Sequence, residues 1–186
     1  MSKIILGFVG QIASGKGTAV AYLKEKYGAS AHRFSSMLRD VLDRLYLEQS
    51  RENMQKISSV LRENFGEDTL AKVMAEDVKN AANSLIAIDG IRRPADAKYL
   101  KEILGFKLVH IFADREKRYE RIVARGENSD DRKKTFEEFK KDHEREAEQE
   151  IGEIALEALE QIDNNGNLEK LYERLDQLVN KYGNQN

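Results

Sequence analysis

The chain has 186 residues, enough for one domain with a real core, and 31 Lys and Arg against 33 Asp and Glu leave a formal net charge of −2. No basic tail or long like-charge block marks a nucleic-acid partner. The absence of cysteine excludes a disulfide framework and thiolate metal sites and fits a reducing, cytoplasmic setting. The first apolar run, Ile4 to Val9, is too short for a signal-peptide core or a membrane span, so no membrane partner is expected, and the oligomeric state is left open.

That run reads as a buried strand, and it leads directly into Gly10-Gln11-Ile12-Ala13-Ser14-Gly15-Lys16-Gly17-Thr18. Glycines at both ends let the chain curl until successive N–H groups point inward, and the helix that follows adds partial positive charge at its start. Such a nest, from Gly10 through Ala13, Ser14 and Gly15 to Gly17, suits a polyphosphate. Lys16 supplies a point charge on a flexible stem for the outer phosphates. The spacing is Gly-x-x-x-x-Gly-Lys, but Gly17 stands where the general motif has Ser or Thr, and the hydroxyl comes one place later as Thr18. Thr18 is therefore a candidate either for Mg²⁺ or for a phosphate oxygen.

Ala19, Val20, Leu23 and Tyr27 recur at helical spacing up to the stop at Gly28. Ala31 to Phe34 reads as a second strand, after which Ser35 or Ser36 can cap a helix carrying Leu38, Val41, Leu42 and Leu45. Arg39 lies off that apolar face, either pairing with Asp43 or serving a ligand. Ser50 to Phe65 and Leu70 to Ala81 give two more amphipathic helices. Residues 35–82 thus form a helical insertion, which could grip a second substrate.

Leu85-Ile86-Ala87-Ile88-Asp89-Gly90 is a continuous apolar run ending in an acid, the pattern of a central parallel strand that delivers a carboxylate to the ligand edge. Asp89 is the candidate for steering a hydrated Mg²⁺, the plain alternative being a turn-forming Asp-Gly. Arg92 and Arg93 follow where anionic ligands bind in such sheets, so at least one is expected to clamp a phosphate.

Gly105 to Phe112 reads as the fourth strand, with His110 as a core or edge residue. Arg118, Arg121 and Arg125 share one face of the next helix. Arg118 has Asp114 four residues back, whereas Arg121 and Arg125 have only cations at helical spacing, so an anion is expected there unless the face is simply solvated. Residues 126–150 read as a polar lid that carries Arg132 inward, or as a surface arm, with a capping box at Thr135 and Glu138. Ala158 to Ile162 reads as the fifth strand, and Asn167 caps a last helix. The whole is expected to be a single three-layer α/β domain over 1–186, with a five-stranded parallel sheet and helices on both faces.

Several of these stretches resemble the adenylate kinases and related P-loop nucleoside monophosphate kinases. Gly-Lys-Gly-Thr resembles their loop, and Ser35-Ser36-Met37-Leu38-Arg39 their acceptor segment. Asp89-Gly90-Ile91-Arg92-Arg93 is similar to their Asp-Gly-Phe-Pro-Arg, and the spacing of Asp114, Arg121 and Arg125 to the helix entering their lid. Asp163-Asn164-Asn165-Gly166 resembles the adenine-side loop of nucleotide kinases and of dephospho-CoA kinase-like proteins. The resemblance implies a P-loop NTPase fold using ATP and Mg²⁺ for in-line γ-phosphoryl transfer to a small acceptor, a nucleoside monophosphate or a dephospho-CoA-like molecule. It places Lys16, Gly10, Ala13, Ser14, Gly15, Gly17, Thr18, Arg121, Arg125, Asn164 and Asn165 at the donor. Ser35, Ser36, Arg39, Arg92 and Arg93 fall at the acceptor, and Arg132 on the lid. A nucleotide-dependent switch or ATPase is the reading from another class, although no Asn-Lys-x-Asp guanine motif occurs.

Overall fold

The computed structural model describes residues 3–125, 135–142 and 146–184. Among them β1 (Ile4–Val9), β2 (Ser30–Arg33), β3 (Leu85–Ile91), β4 (Phe106–Phe112) and β5 (Glu160–Asp163) form one sheet in the order β2-β3-β1-β4-β5. Every neighbouring pair is parallel. The helices are α1 (Lys16–Tyr27), α2 (Phe34–Arg44), α3 (Arg51–Phe65), α4 (Thr69–Asn80), α5 (Pro94–Ala97), α6 (Arg115–Arg125), α7 (Phe136–Asp142), α8 (Glu146–Leu156) and α9 (Leu168–Gly183).

Continuous apolar strands are what a sheet covered on both sides requires, and side-chain alternation divides them between two cores. Ile5, Val9, Ile86, Ile88, Ile91 and Leu108 pack with Leu38 of α2, Met74 and Val78 of α4, Ala97 of α5 and Ile151 and Ile154 of α8. Leu6, Phe8, Leu85, Ala87, Val109 and Ile111 face Ala19 and Leu23 of α1 and Leu171, Leu175 and Leu178 of α9. Each of these large side chains contributes about 1.5–3 kcal/mol of burial.

The structure departs from the sequence reading in several places, and β5 runs Glu160–Asp163, starting two residues later than expected because Leu159 is 68% exposed. Phe34 begins α2 and does not end β2, so Arg33 is the N-cap and Ser35 and Ser36 lie in the first turn; Phe34 itself is buried, which favours the helix. In the insertion Leu45, Phe65 and Val73 are 54%, 69% and 42% exposed, because α2 ends before Leu45 and the burial stripe of α4 runs through Ala71 and Ala75. The helix α8 was signalled only by Ile151, Ile154 and Ala155 at helical spacing, and all three are buried. By contrast the Thr135–Glu138 capping box before α7 and the Asn167 cap of α9 stand as expected, and Ser50 caps α3 as well.

A polar clamp ties α1 to α9. Asp176 accepts hydrogen bonds from Tyr22 Oη, Tyr27 Oη and Lys26 Nζ, each 2.7 Å, while Tyr22 and Tyr172 stack with ring centroids 4.0 Å apart. Burial works against the charge of Asp176, but the bonds from Lys26, Tyr27 and Tyr22 prevail and hold its carboxyl below the ordinary carboxylate value. Its contribution is therefore present above the ordinary carboxylate range and is lost as pH falls through the lowered value. Asp176→Asn is expected to lower Tm by about 3–6 °C at pH 7. The gap to wild type should narrow in acid, which thermal melts across pH would check.

Candidate active site

All five strands point their carboxyl ends to one edge, and β1, at the centre, ends there in the glycine loop. Gly10 has φ +152° and Gly15 φ +112°, and Ala13 also adopts a positive φ of 59°. A side-chain carbon at Gly10 would stand 2.1 Å from Ile111 O, and one at Gly15 would stand 2.2 Å from Asn164 Nδ2. Glycine is required at both places by backbone and by space. Gly15 caps α1 in the left-handed conformation, no side chain caps that helix, and no acid lies in its first turn. The orphan N–H groups and the dipole at that end favour an anion. Lys16 Nζ folds back over the loop, donating to Gly10 O at 2.5 Å and Gln11 O at 2.9 Å.

Asp89 reaches this loop from β3. Between Gly7 and Val9 the register of β1 advances two residues while β3 advances three, a bulge at Asp89-Gly90 that Gly90 permits with φ +90°. The bend leaves Asp89 7% exposed, with its Oδ2 4.0 Å from where a side-chain carbon of Gly17 would be. The carboxylate is thus set against the start of α1, near Thr18, which is exposed. Asp89 Oδ2 also lies 3.3 Å from Arg33 Nε. One hard oxygen ligand beside a polyphosphate nest suits a hydrated Mg²⁺ shared with nucleotide phosphates. Among the described residues no group of three or more His, Cys, Asp and Glu is arranged to hold a metal.

On the β4–β5 side the loop is braced. Asn164 is 4% exposed and its Nδ2 donates to Ser14 O at 2.7 Å, while its own carbonyl accepts from Arg121 Nη2 at 2.7 Å. Asn165 Oδ1 accepts from Asp114 N at 2.8 Å, and Lys117 Nζ donates to Asn165 O. Asn164 therefore supports the loop through its amide, and the β5–α9 turn is bound to the start of α6. Arg121 Nη1 and Ser14 Oγ are buried and lack a hydrogen-bond partner, so both have capacity left for a ligand or water. The side chain of Arg125, and Arg132 altogether, lie outside the described residues.

Helical spacing offers Asp114 as the partner of Arg118, yet Arg118 is 3% exposed, donating from Nε to Ala113 O at 3.0 Å and from Nη1 to Ile12 O at 3.3 Å, with its guanidinium 5.7 Å from the ring centroid of Phe139. It ties the loop to the end of β4 and to α7. The signal available was its placement beside Ile122 on the face that packs inward. Arg118, Gln11, Ser14, His110, Ile151 and Gln161 line a cleft of about 330 Å³ beside the loop. Burial, assisted by the Lys16 ammonium, pushes the His110 imidazole below its ordinary value.

The expected acceptor residues occupy the β2–β3 side. Asp96 Oδ2 accepts from the backbone N–H of Arg92 and Arg93, at 3.1 and 3.2 Å, and Arg62 of α3 approaches its other oxygen at 3.6 Å. The Arg92–Arg93 turn is thereby fixed. Arg92 is exposed, and Arg93 is partly buried with Nε 3.7 Å from Glu150 of α8. Arg39 does not pair with Asp43 directly, because Gln49 lies between them, accepting from Arg39 Nη1 at 2.8 Å and donating to Asp43 at 2.5 Å. Ser35 Oγ is buried with no hydrogen-bond partner, and Ser36 is exposed.

Compared with known proteins, residues 9–140 match the family model described as an AAA domain. A UPF0200 protein of Methanosarcina barkeri is 30% identical over 96% of this chain and 95% of that one. Shikimate kinase from Bacteroides thetaiotaomicron superposes with TM-score 0.65 at 11% identity, covering 97% of this chain and 98% of that one. Shikimate kinase from Acinetobacter baumannii, in complex with shikimate, superposes with TM-score 0.58 at 15% identity, covering 99% and 96%. These structural likenesses show a common fold, the P-loop kinase fold.

Proposed function

Since the chain belongs to the AAA domain family and has the fold of the P-loop kinases, we propose that it is a phosphotransferase moving the γ-phosphoryl group of ATP to a small acceptor, in the finer reading a nucleoside monophosphate. What carries the reading is the uncapped start of α1 inside a glycine loop, with the Asp89 carboxylate set against Gly17. An anion nest with an adjacent acid suits a metal-bound polyphosphate.

In such a reaction an acceptor phosphate oxygen attacks the γ-phosphorus, the bond to the β–γ bridging oxygen breaks, and ADP leaves with its electron pair. The protein's share is positioning and charge neutralisation. The loop amides and Lys16 would hold the outer phosphates, and Asp89 with Thr18 would hold the cation. Mg²⁺, when bound, supplies neutralisation of the β- and γ-phosphate charge. Arg121 and Arg125 would flank the donor beside Asn164 and Asn165, Arg132 would enter from residues 126–150, and Arg93 with Arg39, Arg92 and Ser35 would grip the acceptor. Among the described residues no helix is long and apolar enough to cross a membrane. A cytoplasmic setting is part of the proposal.

The test is a thermal-shift panel of nucleoside monophosphates, dephospho-CoA and shikimate, followed by a coupled assay on the hits. Phosphate release from ATP without any acceptor would favour a switch or ATPase instead. On the acceptor identified, Arg93→Ala is expected to raise KM for the acceptor about tenfold or more while that for ATP stays within about twofold. Two-substrate kinetics would check it. A change confined to the ATP constant would place the acceptor site elsewhere.

A further inference from the structure

We propose, resting on the phosphotransferase reading, that Arg33 is the exchangeable counter-ion of Asp89. It balances the carboxylate until the nucleotide's divalent cation arrives, and then yields the position to it. Three observations combine. Arg33 is the last residue of β2 and the register partner of Asp89 on β3, which brings their side chains together wherever else either reaches. Its Nε stands 3.3 Å from Asp89 Oδ2, the same oxygen that lies 4.0 Å from a side-chain carbon built on Gly17. That one oxygen therefore lies close both to the guanidinium and to the phosphate loop.

The two side chains differ in freedom. That of Asp89 is 10% exposed and that of Arg33 is 47% exposed. A carboxylate so enclosed is costly without a cation beside it, so some positive group must stand there in every state of the site. The half-exposed arginine can swing away without repacking the core, whereas the aspartate is held by the bulge at Gly90. A divalent cation on Oδ2 would repel the guanidinium and replace the charge it supplies, so the two occupants exclude one another. Arg33 would then tune how tightly the site holds its cation, by competing for the ligand.

The experiment is a Mn²⁺ titration of the full chain in saturating ADP, followed by electron paramagnetic resonance, on wild type and Arg33→Gln. Removing the competitor is expected to tighten Mn²⁺ binding about fivefold or more. Without metal and nucleotide the variant should melt below wild type, and with Mn²⁺ and ADP the difference should close. A purely structural ion pair gives the opposite pattern: Mn²⁺ affinity unchanged or weaker, and a melting deficit that persists in the complex. Either result overturns the proposal. If Arg33→Gln does not fold, Arg33→Lys, which keeps the charge but loses the planar guanidinium, serves with a smaller tightening expected, and no tightening overturns the proposal. Wild type that binds no Mn²⁺ with ADP would sink the phosphotransferase reading as well, whereas normal wild-type binding with an unaltered variant sinks this inference alone.

Discussion

Lys16→Met is expected to lower kcat/KM for phosphoryl transfer at least about a hundredfold while leaving the fold intact. The ammonium lies over the loop, 2.5 Å from Gly10 O and 2.9 Å from Gln11 O, within the curl that would receive the phosphates. It is the loop's own mobile charge, and methionine matches its stem without it. Loss of the bonds to the Gly10 and Gln11 carbonyls should cost on the order of 1 kcal/mol, small beside the loss of phosphate binding. Steady-state kinetics with a parallel melt would separate the two effects. Wild-type turnover in the folded variant would remove the loop from the chemistry.

Gly10→Ala is expected to damage the fold itself. The added methyl would meet Ile111 O at 2.1 Å and Ser14 Oγ at 2.8 Å, with φ at +152°. Backbone strain and overpacking together should destabilise by on the order of 3 kcal/mol, or about 6–12 °C in Tm. Gly17→Ala provides the contrast, since its nearest atom is Asp89 Oδ2 at 4.0 Å, so its melt should stay within about 0.5 kcal/mol of wild type. Calorimetry on the pair would decide the matter. A Gly10→Ala protein melting with wild type would contradict the loop geometry described above.

Local signals were enough for most of the framework. The apolar runs at Ile4 and Leu85, the cap at Asn167 and the glycine loop are each written in a few adjacent residues, and the sheet and its covering helices follow from them. Less legible was whatever depends on residues distant in the chain. The burial of Arg118 depends on carbonyls at Ile12 and Ala113 and on Phe139. The pairing of Arg33 with Asp89 depends on parallel register, which no local pattern specifies. Likewise Gln49 separates Arg39 from Asp43, though i,i+4 spacing favours a direct pair. The helix α8 has a weak local signal because its buried apolar residues, Ile151, Ile154 and Ala155, fall in its second half.

The central place of β1 also bears on how the chain acquires its shape in time. Ile4 pairs with Leu85, and Ile5 with both Ile86 and Phe106, so β1 leaves the ribosome well before both of its neighbours. At about 5–20 residues per second, synthesis leaves its apolar side chains waiting for several seconds. Contacts so distant in sequence slow folding, since loop-closure entropy must be met before pairing rewards it. The phosphate loop hangs from the end of β1 and Asp89 from the end of β3. The two halves of the site therefore meet only when those strands align, so the proposed nucleotide would stabilise the finished sheet and could not help to start it.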